Sequence, residues 1–173
     1  MRLIETTVHD SYKEMSSQII FERIAARAIV IEGEDILMIY TKRYNDYSFP
    51  GGGVDKGEDI KTGLYRELSE ETGAENISVI SEFGSFEEYR PSYYDGYDIV
   101  HMMSYFYICS ANKVLGKSNP ESYEIKNGSV PVWVNIHKAI LHNEAVMLAK
   151  EDSMGLSIAR ETMVLKMVVD ELL

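Results

Sequence analysis

The sequence predicts a layered fold that combines helices with β-strands, of the α/β or α+β class. Short runs of apolar and β-branched residues predict several strands, one helix-like segment follows a glycine-rich loop, and the C-terminal part has helical periodicity. The 173 residues are 45% apolar, which is enough for a sizeable core and predicts a single domain over 1–173.

Two strands are predicted before the glycine-rich loop. Residues 23–31 read RIAARAIVI and residues 36–40 read ILMIY, and both are rich in residues that favour strands. The EGED sequence at 32–35 predicts a hairpin turn between them. Residues 1–20 are a possible N-terminal extension, either a helix or a strand outside the core, and they do not resemble a signal peptide.

The next element is a helix, predicted from about Asp59 to Glu71. Asp59 suits the N-terminal cap, and Gly73 suits the left-handed residue that commonly ends a helix. Apolar side chains recur every four residues along this segment, and such a stripe packs on a sheet. The stripe consists of Ile60, Leu64 and Leu68.

The second half of the chain predicts three more strands and a helical tail. The strands are expected at 77–89, 97–109 and 130–136, with a tyrosine-rich turn after the first and a polar loop, 110–129, before the last. The tail beyond the last strand is predicted to be helical, with a break near Gly155.

Composition argues against several classes of protein. The formal charge of −11 opposes the binding of long polyanions, so we expect a small nucleotide rather than a nucleic acid as partner. No run reaches the roughly 18 apolar residues of a membrane span, so no membrane partner is expected. Cys109 is the one cysteine, which favours a reducing, cytoplasmic setting, and its apolar surroundings make it a poor nucleophile.

Four glutamates lie in or next to the predicted helix. Glu67, Glu70 and Glu71 have helical offsets of zero, three and four, so they share an arc of roughly 100°, and Glu58 precedes them. Such charges repel each other by about 0.2–0.5 kcal/mol per pair. A divalent cation bound between them would turn this repulsion into a net attraction. Oxygen ligands suit Mg²⁺ or Mn²⁺. From spacing alone, a solvated acidic face is the alternative interpretation.

Residues 52–74 read GGVDKGEDIKTGLYRELSEETGA, and this pattern resembles the signature of the Nudix hydrolases, the MutT-like pyrophosphohydrolases. The match covers 23 of 173 residues and departs from the family at Ala74, which is usually a larger aliphatic residue. We expect this departure to affect packing and not chemistry. The resemblance implies an α/β/α sandwich around a mixed β-sheet, with Mg²⁺ or Mn²⁺ as cofactor.

The resemblance also implies roles for single residues. Glu70 and Glu71 would be metal ligands, and Glu67 would be either a ligand or the general base. Gly51 occupies the position whose carbonyl oxygen often joins the metal. Some family members add a glutamate from the loop before the tryptophan-bearing strand, and here we prefer Glu124.

Further acids remain as alternatives to Glu124, and one ion pair is expected to support the helix. Glu121 lies in the same loop, and Glu87 and Glu88 lie on the preceding strand. Glu58 and Arg66 match residues that, in the family, brace the loop against the helix, as a carboxylate–guanidinium pair can do. Without the pattern, each of these would be an ordinary surface charge.

Candidate substrate contacts lie outside the pattern. Lys42 and Arg43 end the strand before the glycine-rich loop and could meet phosphate, or could be solvated strand-end charges. Tyr89 and Tyr93 could stack a nucleobase, or could form a half-buried loop cluster. His101 alternates with apolar residues on a strand, so a structural role is expected.

The resemblance implies hydrolysis of a nucleoside diphosphate linked to another moiety, with a (d)NTP or modified NTP placed first. ADP-ribose, a nucleotide sugar and a dinucleoside polyphosphate are alternatives, and the 5′ end of RNA is a variant that the acidic charge weakens. A non-catalytic nucleotide-sensing domain and an isopentenyl diphosphate isomerase are rivals of other classes, although this isomerase uses a cysteine before the helix, which this chain lacks. Monomer and homodimer are both compatible with the sequence.

Overall fold

The computed structural model describes residues 1–10, 12 and 19–173. Seven strands and four helices follow one another along these residues. In chain order they are β1 (Leu3–Val8), β2 (Ile20–Glu32), β3 (Asp35–Thr41), β4 (Asp46–Ser48), α1 (Ile60–Thr72), β5 (Ser78–Pro91), β6 (Ile99–Ser110), α2 (Ser122–Asn127), β7 (Ser129–Asn135), α3 (Ile136–Ala149) and α4 (Ile158–Leu172).

The strands form one mixed sheet in the order β1-β5-β6-β2-β3-β4, and β7 pairs with β3. β2 runs parallel to β6 and β1 runs parallel to β5, whereas β5–β6, β2–β3, β3–β4 and β3–β7 are antiparallel. The β2–β3 pairing consists of Ile31 with Ile36 and Glu32 with Asp35, next to the hairpin turn. The two strands then separate, and this separation opens the sheet where the glycine-rich loop enters.

Helices cover both faces of the sheet, which confirms the predicted α/β/α sandwich. On one face, Leu64 and Leu68 of α1 pack against the small residues Ala26 and Ala28 of β2. On the other face, α3 and α4 bury a larger cluster against β2, β5 and β6. Its members include Ile29, Phe86, Phe106, Ile140, Val164, Leu165 and Val168. Side chains on a strand alternate between faces, so β2 serves both cores.

The ends of α1 agree with the prediction. The Asp59 carboxylate accepts hydrogen bonds from the backbone N–H groups of Lys61 and Thr62, both at 3.1 Å, as an N-cap does. Gly73 ends the helix with φ at 70°, and its N–H donates to the carbonyl of Ser69. The helix is therefore fixed at both ends, and the glutamates on it have defined positions.

Two short elements were not predicted. β4 lies within residues 44–53, which were predicted to be the glycine-rich loop. α2 lies within the polar loop 110–129. α2 has six residues and is held by a capping box, in which the side chains of Glu121 and Glu124 accept bonds from each other's backbone N–H. An element this short has no periodicity to recognise. The loop assignment of 110–129 was wrong at 122–127.

The N-terminal extension includes a strand. β1 pairs with β5 from Leu3 to Val8, so the strand alternative is confirmed there. The rest of that prediction falls partly on residue 11 and residues 13–18, which lie outside the described residues. No helix among the described residues has the length and apolar character needed to cross a membrane.

His101 and Cys109 have the structural surroundings that were expected. Both ring nitrogens of His101 bond to carboxylates, Nδ1 to Glu22 and Nε2 to Glu87 at 2.9 Å, and the ring stacks on Tyr89. Cys109 is a free, buried thiol, and burial raises its pKa to about 12. Neither side chain lines the cavity described below.

Candidate active site

The glycine-rich loop forms a strip of bare backbone along the free edge of β2. The Ala26 N–H donates to the Gly52 carbonyl at 3.0 Å, and the Val54 N–H donates to the Ile24 carbonyl at 2.9 Å. A Cβ at Gly51, where φ is 123°, would overlap the Ala26 carbonyl, and a Cβ at Gly52 would overlap the Glu67 carboxylate. Glycine is therefore needed here, because both backbone and acid approach too closely for a side chain.

Arg66 connects this loop to α1 through four hydrogen bonds. Its Nε and Nη2 donate to the two oxygens of Glu58 at 3.1 and 3.0 Å, and Nη2 also donates to the Gly53 carbonyl at 3.1 Å. Its Nη1 donates to Glu67 Oε1 at 2.7 Å. The hydrogen bonds from Arg66 lower the pKa of Glu58, because they favour the ionised carboxylate. This forked contact fixes the loop and Glu67 relative to the helix.

Glu67, Glu71 and Glu124 form the acid cluster of the site. Glu71 Oε2 accepts the Gly51 N–H at 2.6 Å, and the carboxyl groups of Glu71 and Glu124 lie within hydrogen-bonding reach of each other. Burial raises the pKa of Glu71 well above its usual value, and Glu124 adds to this, although Arg27 and the Gly51 N–H oppose it. Burial also raises the pKa of Glu67, against the influence of Arg66. Two carboxyl groups this close are stable with a shared proton or a cation.

Arginines line the same cavity, which has a volume of about 770 Å³, a size typical of small-molecule sites. Arg23 and Arg27 come from β2, Arg90 from the end of β5 and Arg160 from α4. Sequence analysis missed all four. A signal was present for two of them, since Arg23 and Arg27 lie four residues apart on a predicted strand and so share one face with Ala25, which is buried.

A family model described as the NUDIX domain matches residues 22–152. The chain belongs to the Nudix family. A NUDIX hydrolase from Nitrosomonas europaea has the same fold, with a TM-score of 0.57 and 13% identity over 86% of this chain and 90% of that one.

The curated relatives that this Nudix chain matches are similar over short stretches. An RNA pyrophosphohydrolase from Campylobacter jejuni is 44% identical over 45 residues, which are 26% of this chain and 29% of that protein. An RNA pyrophosphohydrolase from Pelagibacter ubique is 42% identical over 66 residues, or 36% of this chain and 42% of that protein. The alignments therefore span less than half of these relatives' own length.

The Nudix-box residues are brought together by the fold, but they differ in their surroundings. Glu67 and Glu71 line the cavity, as does Glu124, the preferred loop acid. Glu70 is not among the lining residues; its carboxylate lies 3.5 Å from Arg66 Nη1 on the half-exposed side of α1. The Gly51 carbonyl accepts a hydrogen bond from Arg27. The ligand roles of Glu70 and Gly51 remain predictions.

The donor chemistry fits a divalent cation at Glu71 and Glu124. Their carboxyl oxygens are hard ligands, and the contact between them is one that a cation would stabilise. Over residues 1–10, 12 and 19–173, no three His, Cys, Asp or Glu side chains already have metal-binding geometry. Glu67 is bonded to Arg66, and Glu71 is bonded to the Gly51 N–H. These bonds direct the two carboxylates toward protein groups and not toward one shared point.

The predicted substrate contacts are dispersed. Tyr93 lines the cavity and accepts a hydrogen bond from Arg23. Tyr89 stacks on His101, on the face of β5 opposite to that of Arg90. Lys42 and Arg43 lie beside the C-terminal end of α2, where Arg43 donates to Asn127 at 3.0 Å, and neither lines the cavity. A substrate role for Tyr89, Lys42 and Arg43 remains a prediction.

Proposed function

We propose that this chain is a divalent-metal-dependent hydrolase that cleaves the pyrophosphate bond of a nucleoside diphosphate linked to another moiety. The observation that carries the proposal is the acid cluster, in which Glu71 and Glu124 are held in contact beside bare glycine backbone. Family membership and the names of the relatives support the same reaction class.

Each residue of the site has a proposed task in this reaction. Glu71 and Glu124 would hold Mg²⁺ or Mn²⁺, with Glu70 and the Gly51 carbonyl as further ligands by family resemblance. When bound, the cation neutralises phosphate charge and lowers the pKa of attacking water. Glu67 Oε1 is bonded to Arg66, whereas Oε2 lies next to Gly52. Oε2 can therefore take the proton from attacking water, and burial raises the pKa of Glu67 toward the range of a general base.

Arg66 and Glu58 would act on Glu67 and not on the substrate. The Glu58–Arg66 pair fixes the position of Glu67 Oε1, and a base held in one orientation transfers protons more efficiently than a mobile one. Arg27 would contribute positive charge, since it influences both Glu67 and Glu71 from β2. The proposal thus separates residues that bind the cation from residues that orient the base.

Two substrate classes are proposed in order. A (d)NTP or modified NTP comes first, ahead of ADP-ribose, nucleotide sugars and dinucleoside polyphosphates. The second candidate is a 5′-triphosphate RNA end, which is favoured by the name of the relatives that are 42–44% identical over short stretches. The charge of −11 opposes it, since a long polyanion is repelled by an acidic surface.

Turnover of a substrate panel tests the proposal. The chain is incubated with (d)NTPs, ADP-ribose, nucleotide sugars and 5′-triphosphate RNA, with Mg²⁺ or Mn²⁺, and release of phosphate or pyrophosphate is measured. We expect Glu71→Gln to lose about 100-fold or more of the activity, because a charged ligand is removed. Asp170→Asn is the control, since Asp170 is an exposed carboxylate on α4.

The outcomes separate the rival classes. Equal inertness toward every compound would contradict the hydrolase proposal, and nucleotide binding without turnover would instead support a sensing domain. Isomerisation of isopentenyl diphosphate would support the isomerase. Parental activity in Glu71→Gln at all Mg²⁺ concentrations would show that the acid cluster has been assigned wrongly.

A further inference from the structure

Arg23 and Arg90 face each other across a methionine on the floor of the cavity. Arg23 on β2 pairs in register with Met102 on β6, so their side chains share one face of the sheet. Arg90 on β5 reaches the same thioether, with its Nη2 3.8 Å from Met102 Sδ. Two strand spacings separate β5 from β2, about 10 Å, so the two guanidinium groups border one small concavity.

Among the described residues, Arg23, Arg90 and also Arg27 lack the carboxylate partners that the other two cavity arginines have. Arg66 and Arg160 each pair with two or more glutamates. Among the described residues, no carboxylate oxygen lies within 4.0 Å of a guanidinium nitrogen of Arg23 or Arg90. Within the part of the chain that the structure describes, the buried Nε of Arg90 has no hydrogen-bond partner, as is also true of the Nε of Arg27 and of Arg160, and an unpaired buried donor costs free energy unless a ligand supplies an acceptor.

The electrostatic environment of Arg90 favours a bound anion. Burial lowers the pKa of Arg90, and the neighbouring cations Arg160 and Arg23 lower it further, while Glu88 opposes them. An anion bound beside such a buried cation lowers the free energy of its charged form. The positive charge of Arg90 is therefore only partly offset within the protein, because Glu88 is already paired with Arg160.

Two tyrosines hold the Arg23 guanidinium in place. Its Nη1 donates to the hydroxyl groups of Tyr93 and Tyr94. The remaining nitrogens of Arg23 form a fork of donors of the kind that binds phosphate oxygens in pairs. Because the tyrosines fix the guanidinium before a ligand arrives, less side-chain entropy is lost when it binds.

The position of Arg23 relative to the acid cluster limits what the anion can be. A Cβ on Gly52 would meet the Glu67 carboxylate, and a Cβ on the next residue, Gly53, would lie 3.5 Å from Arg23 Nη2. Glu67 and Arg23 therefore lie beside successive residues of one loop, and both line the cavity. An anion bound at Arg23 is within reach of a short phosphate chain whose anhydride lies at the acid cluster.

We propose that Arg23 and Arg90, around Met102, form a second anion site that binds the phosphoryl groups beyond the scissile anhydride. This rests on the proposed function and names its substrate class as a nucleoside triphosphate. A nucleotide sugar has one phosphoryl group beyond the scissile anhydride and then a neutral sugar, so it places less negative charge beside these arginines than the two phosphoryl groups of a nucleoside triphosphate do, which disfavours it.

Binding of inorganic tripolyphosphate without metal tests the site independently of catalysis. The protein is titrated in EDTA by calorimetry, with Arg23→Gln, Arg90→Gln and the charge-matched control Lys138→Gln, whose parent residue is exposed. We expect each arginine variant to bind tripolyphosphate at least about tenfold more weakly, because charged hydrogen bonds are lost. Lys138→Gln should bind as the parent does.

Kinetics then connect the site to the substrate. Arg23→Gln and Arg90→Gln should raise KM for a nucleoside triphosphate about tenfold and should raise KM for any nucleotide sugar that is hydrolysed by a smaller factor, because the sugar replaces the terminal phosphoryl group. Equal tripolyphosphate affinity in all variants would overturn the anion site, even if the chain hydrolyses nucleotides. Tripolyphosphate binding that depends on these arginines, without turnover of any nucleotide, would support the anion site and refute the proposed hydrolase function. If Arg90→Gln does not fold, the tripolyphosphate affinity of Arg23→Gln alone decides the outcome.

Discussion

Replacing Asp46 by asparagine should stabilise the protein at neutral pH. Asp46 is buried on β4, lines the cavity and lies close to Glu161. Burial, and then the charge of Glu161, raise the pKa of Asp46 from 3.8 to about 6. At neutral pH the folded protein therefore holds an ionised carboxylate in a place that disfavours it. Asp46→Asn keeps the shape of the side chain and removes this charge.

The size and pH dependence of the effect follow from the two pKa values. Between pH 3.8 and 6 the folded state binds more protons at Asp46 than the unfolded state, so the free energy of unfolding falls as pH rises through this window. At about 1.4 kcal/mol per pH unit, the cost of the carboxylate is about 1 kcal/mol at pH 4.5 and about 3 kcal/mol at pH 7.5. The stability gained by Asp46→Asn should grow by about 2 kcal/mol between these pH values.

Urea unfolding at pH 4.5 and pH 7.5, with EDTA present, measures this difference. Asp152→Asn is the matched control, because it makes the same change of charge at an exposed position; it should shift the free energy of unfolding by less than about 0.5 kcal/mol. An Asp46→Asn variant that is less stable than the parent at pH 7.5, or whose gain is equal at both pH values, would refute the assignment of an elevated pKa.

Three further predictions concern the fold. Burial lowers the pKa of His101, but its hydrogen bonds to two glutamates outweigh burial and raise it. The charged ring therefore stabilises the fold at low pH and not at high pH, so His101→Gln should lower the free energy of unfolding more at pH 6 than at pH 9, as urea unfolding at both pH values will show. Gly73→Ala should lower the free energy of unfolding in urea more than Gly33→Ala does. Both glycines have positive φ, which costs an alanine about 1–2 kcal/mol. A Cβ at Gly73 would also overlap the Gly116 carbonyl, whereas a Cβ at Gly33 would meet no atom of the described residues within 4 Å. Asn143→Ala should lower the free energy of unfolding by about 2–4 kcal/mol, because the buried amide satisfies both backbone groups of a β4 residue.

Local patterns predicted the parts of the fold that local interactions determine. The ends of α1 follow from Asp59 and Gly73, which act within three or four residues of their own positions. The β2–β3 hairpin and the core strands follow from alternating or continuous apolar runs bounded by turn residues. In each case the decisive contact is close in sequence, so it is visible without knowledge of the tertiary structure.

The features that sequence analysis missed depend on distant contacts. Arg90 and Arg23 are 67 residues apart in sequence, and they become neighbours because β5, β6 and β2 lie side by side. Asn143 on α3 binds the backbone of Tyr47 on β4, which no local pattern indicates. Even the acid Glu124, preferred by family resemblance, depends on the short helix α2 to reach Glu71.

The net charge of the protein does not decide whether a small anion binds in the cavity. A net charge of −11 acts on a long polyanion along its whole length, but salt screens it beyond about 8 Å, so it acts weakly on a ligand enclosed by the cavity. Inside, Arg23, Arg27 and Arg90 supply local positive charge without carboxylate partners within 4.0 Å among the described residues. The cavity as a whole is not basic, because six acids line it beside five arginines, but the three unpaired arginines offer local positive charge to a short phosphate chain, whereas the acidic exterior repels an extended one. This physical argument places a nucleoside triphosphate ahead of RNA, whatever the names of the relatives suggest.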